Sequence, residues 1–286
     1  MPKQNTVKGP AVVKGIALHT GARASLRIFP APPNTGIVFR RIDMPGAPEV
    51  LANARNVVDV RRATTIASRT TGAFVVTVEH IMSALHAACI DNAFIEMDGP
   101  EPPNADGSAM PYFEGILEAG IQEQDAEAQY WTAKAPIVFE EGSAMLALLP
   151  ADDLKISFTT EYGYSGLDTQ FFSCQVTTET FRSELEGARK FCPYKELEQV
   201  IAAGLAKGGS LDNAIILHDG ALICKDGLRY PNELVRHKIM DMVGDLYLVG
   251  KRVRAHVMSV RSGHPTHFKL AMAMLEQEAA AAKDAK

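Results

Sequence analysis

The chain has 286 residues, 47% hydrophobic and 22% charged, with a formal net charge of −5. That length and apolar content suit about two ordinary domains, and the acidic balance, without a long basic run, excludes nucleic acid as a partner. No apolar stretch approaches the ~20 residues of a membrane span. The start, Met1-Pro2-Lys3-Gln4, lacks the apolar core of a secretion signal, and Cys89, Cys174, Cys192 and Cys224 form no Cys-x-x-Cys pair; both fit a reducing, cytoplasmic compartment.

Along the chain, the first 50 residues predict strands at Val12–Leu18, Ala24–Phe29 and Gly36–Ile42, with a turn at His19-Thr20-Gly21. Helical spacing of Val78, Ile81, Met82, Leu85 and Ala88 predicts a helix that Asp91-Asn92 breaks. A strand at Ala93–Met97, a Pro-rich loop over 98–107 and a helix at Phe113–Gly120 follow. The polar stretch Ile121–Gln129 reads as a linker, dividing the chain into a first α+β unit, 1–125, and a second, 126–286. The second unit predicts strands at Ile137–Phe139, Met145–Leu149 and Leu154–Thr159, a loop over Tyr162–Asp168 and a strand at Gln170–Val176. Helices at Phe181–Glu186 and Glu196–Gly204 precede a hairpin of Ala214–Leu217 and Ala221–Cys224. A helix through Glu233–Val249, a strand at Arg254–Ser259 and a helix at Phe268–Ala282 complete the chain.

The helix through residues 233–249 carries the strongest signal. His237 and Asp241 stand four apart, so their side chains share a face, with Cβ atoms roughly 5–6 Å apart. Asp245 extends that face by a turn. Leu234, Val235, Ile239, Met240, Met242, Val243 and Leu246 flank it, and a helix apolar on most sides is buried on most sides. The polar stripe should therefore face a pocket, where one divalent ion can reach both side chains; the plain alternative is a solvated stripe with one ion pair. Val78-Glu79-His80-Ile81-Met82 echoes Val235-Arg236-His237-Lys238-Ile239. If the echo marks a duplication, a pseudo-twofold axis brings His80 beside His237 and Asp241.

Two histidines and one carboxylate with an open position suit catalytic zinc, and Fe²⁺ accepts the same set. Glu79, adjacent to His80, is placed to act as a general base; otherwise it is a first-turn acid favoured by the helix dipole. His264, in Ser262-Gly263-His264 at a strand end, is a candidate general acid that Asp245 could orient. Gly208-Gly209-Ser210 is a turn that could approach a ligand, and Lys238 could meet a phosphate. His19, His86, His218, His256 and His267 have no comparable partners and read as ordinary.

Together, Leu18-His19-Thr20-Gly21, Thr77-Val78-Glu79-His80, Asp106-Gly107-Ser108, Gly208-Gly209-Ser210, Val235-Arg236-His237-Lys238 with Asp241, and Ser262-Gly263-His264 resemble the UDP-3-O-acyl-N-acetylglucosamine deacetylases, over nearly the whole chain. The resemblance implies an α+β fold of two duplicated, two-layer βααβ-type domains facing each other with the active site between them. It implies zinc on His80, His237 and Asp241, Glu79 as general base, and His264 as cationic partner with Asp245 behind it. It places Lys238 on the nucleotide and Phe191 and Gly209 along the substrate path, with the acyl chain in a passage built by an insert of the second domain. The activity implied is the committed step of lipid A synthesis in Gram-negative bacteria. The expected partner is a UDP-linked acylated amino sugar, whose lipid would bring a monomeric protein transiently to a membrane surface. Two features depart from the family. Lys190, in Ala188-Arg189-Lys190-Phe191, stands where the family has a Thr that supports the oxyanion. The insert near Glu161–Thr169 lacks the family's His-Pro turn. Two alternatives stay open: a paralogue acting on another N-acetylated sugar, and a non-catalytic relative that binds nucleotide-sugar lipid.

Overall fold

A computed structural model describes residues 2–163 and 169–284. Two five-stranded sheets share one topology. In spatial order the first runs Ala11–Ile16, Arg23–Pro30, Ala93–Met97, Ile37–Arg41, Glu49–Leu51; the second runs Ile137–Glu141, Ala144–Leu149, His256–Val260, Lys155–Glu161, Thr169–Gln175. In both, the third and fourth strands are parallel and every other neighbour is antiparallel. The five-residue echo in the sequence therefore belongs to a duplicated α+β architecture. Alternation drives each sheet: Ala24, Leu26 and Ile28 are buried on one strand, Leu146 and Leu148 on its counterpart, each with the opposite face turned outward.

The described residues include six α-helices: α1 (Glu79–Ala87), α2 (Met110–Ala119), α3 (Thr178–Thr180, continued by a π-helical stretch Phe181–Leu185), α4 (Tyr194–Ala202), α5 (Glu233–Tyr247) and α6 (His264–Asp284). Every residue of α1 is buried, and nearly every residue of α5. The two helices press their backbones together at Gly244, where an added Cβ would lie 1.9 Å from the Glu79 carbonyl oxygen. No side chain fits there, and that close approach puts Asp241 and Asp245, either side of Gly244, opposite Glu79 and His80. Thr77, just before α1, is held at φ 57°, a conformation a β-branched residue adopts only when its surroundings impose it.

Two expectations are corrected, and one segment is added. The polar stretch after Gly120 is a strand, Ile121–Glu127, paired antiparallel with Lys3–Val7. It is polar because it is the outer strand of a two-stranded ribbon and turns most of its own side chains to solvent, and the division at 125/126 falls inside it. Helix α6 begins at His264, four residues before its apolar spacing starts; Pro265, favoured in a first helical turn, was the overlooked signal. Residues 57–75, where periodicity predicts nothing, form a small sheet of Val57–Asp59, Thr65–Ala67 and Phe74–Val75. Most of the loop predicted over Tyr162–Asp168 lies outside the described residues.

Candidate metal and acid–base site

His80 on α1 and His237 and Asp241 on α5 converge. Asp241 Oδ1 lies 3.5 Å from His80 Nε2 and 3.4 Å from His237 Nε2. All three residues are buried, yet His80 Nε2 and Asp241 Oδ1 have no hydrogen-bond partner. Buried polar atoms are normally satisfied, so the orphaned atoms fit a bound cation. His237 Nδ1 donates to the Ala188 carbonyl at 3.0 Å, which leaves the Nε2 lone pair facing the gap, the usual outer-shell device of a metal-ligating histidine. Burial pushes the His237 imidazole down to about 3, so it stays neutral.

Glu79 is fully buried at the start of α1. The Thr64 amide donates to its Oε2 at 3.0 Å, while Oε1 is unpartnered and looks into the site. His264 Nε2 stands 3.8 Å from Oε1 and Lys190 Nζ 3.9 Å, so two donors flank one acceptor. The Lys190 Nζ is buried and makes no hydrogen bond, with Glu79 as its ion-pair partner. Its backbone is pinned on both sides, donating to Gly107 O at 2.9 Å and accepting from Ile215 N at 2.8 Å.

Asp245, one turn beyond Asp241, is saturated. Its Oδ2 accepts from His264 Nδ1 and from His267 Nδ1, each at 2.8 Å, and its Oδ1 from Thr64 Oγ1 at 2.6 Å. Burial opposes its ionisation, but the two imidazoles hold its carboxyl well below the usual range. Burial also opposes the His264 cation, yet the Asp245, Glu79 and Asp241 carboxylates outweigh it and push that imidazole up to about 9.

His237, Asp241, Lys190 and His264 open on a cavity of about 600 Å³. Lys238 lines it, with Nζ 3.8 Å from Asp241 Oδ2. Phe191 lines it too, edge-on to His237 at 6.0 Å and to Tyr162 at 5.3 Å. Gly209 and Ser210 reach its wall, but the glycine that matters in their turn is Gly208. There a Cβ would lie 2.2 Å from Ala17 O, so Gly208 is required by the neighbouring backbone. The altered insert near 161–169 falls mainly on residues outside the description.

Of the predicted site residues, Lys190, Phe191, Gly209, His237, Lys238, Asp241 and His264 line this cavity, and His80, Glu79 and Asp245 lie behind them, against Asp241 and His264. Three others escaped the sequence. His267, read as ordinary, is a second imidazole on Asp245; its i,i+3 spacing from His264 was visible only if α6 was started early enough. Thr64 had no sequence signal. Glu101, fully buried, accepts from the His19 and Thr20 amides at 2.8 and 2.9 Å and fixes that turn against the cavity. Burial and the Lys190 charge push His19 down to about 4.

The family described as UDP-3-O-acyl N-acetylglycosamine deacetylase matches residues 4–276. A UDP-3-O-acyl-N-acetylglucosamine deacetylase of Citrifermentans bemidjiense is 40% identical over 274 residues, 96% of this chain and 89% of its own. Those of Anaeromyxobacter dehalogenans and Histophilus somni are each 38% identical, covering 97% and 98% of this chain and 89% and 92% of theirs. With nearly its whole length matched, the chain belongs to the UDP-3-O-acyl N-acetylglycosamine deacetylase family.

Proposed function

We propose that this chain hydrolyses the acetamide of UDP-3-O-(3-hydroxyacyl)-N-acetylglucosamine in lipid A biosynthesis, as a cytoplasmic, zinc-dependent enzyme. His80, His237 and Asp241 would hold the ion. Bound there, zinc would polarise the acetamide carbonyl and lower the pKa of water. The observation that carries this reading is the pair of orphaned, buried atoms, His80 Nε2 and Asp241 Oδ1, set beside the free Oε1 of Glu79.

Glu79 Oε1 takes a proton from the attacking water while Oε2 stays anchored on Thr64. The water oxygen adds to the carbonyl carbon, and negative charge develops on the carbonyl oxygen. His264 Nε2–H and Lys190 Nζ–H, on either side of Glu79, donate to that oxyanion; charge-assisted donors of this kind are about twice as strong as neutral ones. Asp245 keeps His264 cationic and aimed. When the C–N bond breaks, the leaving amine collects a proton either from Glu79, which gained one from the water, or from the His264 cation, and acetate departs. Lys238 binds the diphosphate, and Phe191 and Gly209 line the substrate path.

The test is acetate release from the UDP substrate, with and without a chelator. Release that a chelator abolishes and zinc restores supports the reading. Release unaffected by complete metal removal contradicts it. Absence of turnover in zinc-loaded protein moves the chain to another N-acetylated sugar or a binding role.

A further inference from the structure

His267 takes no part in the reaction just described, yet it is fully buried and bonded at both ring nitrogens. Nδ1 lies 2.8 Å from Asp245 Oδ2 and Nε2 lies 2.9 Å from Ser262 Oγ, which in turn lies 2.5 Å from Ser259 Oγ. The ring stands edge-on to Phe158 at 6.3 Å. Burial disfavours its cation, so it has one N–H to give. The ionised Asp245 carboxylate can only accept, so that hydrogen is on Nδ1. Nε2 then accepts from the Ser262 hydroxyl, and Ser262 accepts from Ser259. The chain of hydrogen bonds has one polarity, from Ser259 to Asp245.

Three donors from two segments, Thr64 on one side and the first turn of α6 on the other, thus grip one carboxylate. Without His267, Oδ2 keeps His264 as its only partner, and the carboxylate can turn with the imidazole it is meant to hold. We propose that His267 is a positioning residue: with Thr64 it fixes the plane of Asp245, which aims His264 Nε2 at the reacting atoms. What His264 does there rests on the reading under Proposed function; where His264 points does not.

Outer-shell partners of this kind typically carry about 10–100-fold of activity. His267→Phe keeps a buried ring and removes both hydrogen bonds; His267→Asn can return an N–H near the position of Nδ1. For His267→Phe the expected result is a kcat about 10–100-fold lower with KM and metal content unchanged, and for His267→Asn recovery of most of that loss. Should His267→Phe fail to fold, Ser262→Ala removes the same chain of hydrogen bonds one link away and should cost kcat in the same direction, by a smaller factor. ¹⁵N NMR of the His264 ring, which needs no turnover, should change from one tautomer or charge state to a mixture in His267→Phe. A His267→Phe kcat within about twofold of the parent, or His267→Asn no better than Phe, with the His264 spectrum unmoved, overturns the proposal. His264→Ala is the control: unimpaired kcat there overturns the role given to His264, whatever His267 does.

Discussion

Two histidine–carboxylate clusters sit one helical turn apart on α5 and are in opposite states. His80, His237 and Asp241 approach only to 3.4–3.5 Å and leave buried atoms without partners. Asp245, His264 and His267 lie at 2.8 Å with the carboxylate fully occupied. Residue types and burial are the same. One difference is where the His237 hydrogen points. In the first cluster His237 spends its N–H on the Ala188 carbonyl and turns a lone pair toward Asp241; a lone pair facing a carboxylate attracts nothing without a cation between them. In the second, both imidazoles turn Nδ1–H toward Asp245. One helix therefore carries an open cluster with unpaired buried atoms and a closed hydrogen-bonded brace, and the Ala188 carbonyl holds the first one open.

The sharpest ways to break this comparison lie between the clusters. Glu79→Gln keeps the size and the Thr64 contact but removes the base; it should lower kcat by about 10²–10⁴ with metal content unchanged, measured by acetate release beside elemental analysis. Near-normal kcat would reduce Glu79 to a helix-dipole acid.

Next is Lys190. If its ammonium donates to the oxyanion, Lys190→Ala should lose about 10²–10³ in kcat and Lys190→Thr should change it modestly. If instead the amine obstructs the site, Lys190→Thr should activate the enzyme. A gain of about tenfold or more in Lys190→Thr contradicts the donor role.

The close approach that aligns both clusters is tested by Gly244→Ala. A methyl 1.9 Å from the Glu79 carbonyl must push α1 and α5 apart; overpacking typically costs about 1–3 kcal/mol. A lower thermal midpoint together with weaker metal retention is expected, and an unchanged midpoint would show that the helices separate freely.

The smallest effect is in pH. His264 rises from 6.5 to about 9 in the folded protein, so it binds its proton more tightly there than when unfolded. Its contribution to stability is fully present below the unfolded value and is lost as pH rises through about 9. In metal-free protein, stability should fall across that window, and Asp245→Asn should shift the fall to lower pH. A bound divalent cation offsets the Asp241 and Glu79 charges, so loading should also lower the His264 titration seen by NMR. An unchanged titration on loading would place the ion elsewhere.

Much of the site was legible. His237 and Asp241 announce themselves by i,i+4 spacing on an apolar helix, and the echo at His80 implied the duplication that the matched sheet topologies display. Glu79 came with His80 because they are neighbours. What stayed hidden is non-local. Thr64 reaches Asp245 from 181 positions away and lies just before a strand of a small sheet without periodicity. His267 was hidden because apolar spacing marks a helix's buried face, whereas the turn that starts α6 is set by Gly263, Pro265 and the Thr266 hydroxyl, which accepts from Gly263 N at 3.0 Å. Ile121–Glu127 read as a linker because an exposed ribbon strand needs no apolar face; its partner, Lys3–Val7, is at the other end of the unit.

The central claim is that the open cluster holds one divalent ion. Its most direct test is elemental analysis of the parent and His237→Ala after reconstitution with zinc and removal of excess, with circular dichroism to confirm folding. One metal per chain in the parent, and little or none in a folded His237→Ala that no longer releases acetate, is the expected result. Full metal content in His237→Ala would contradict the assignment.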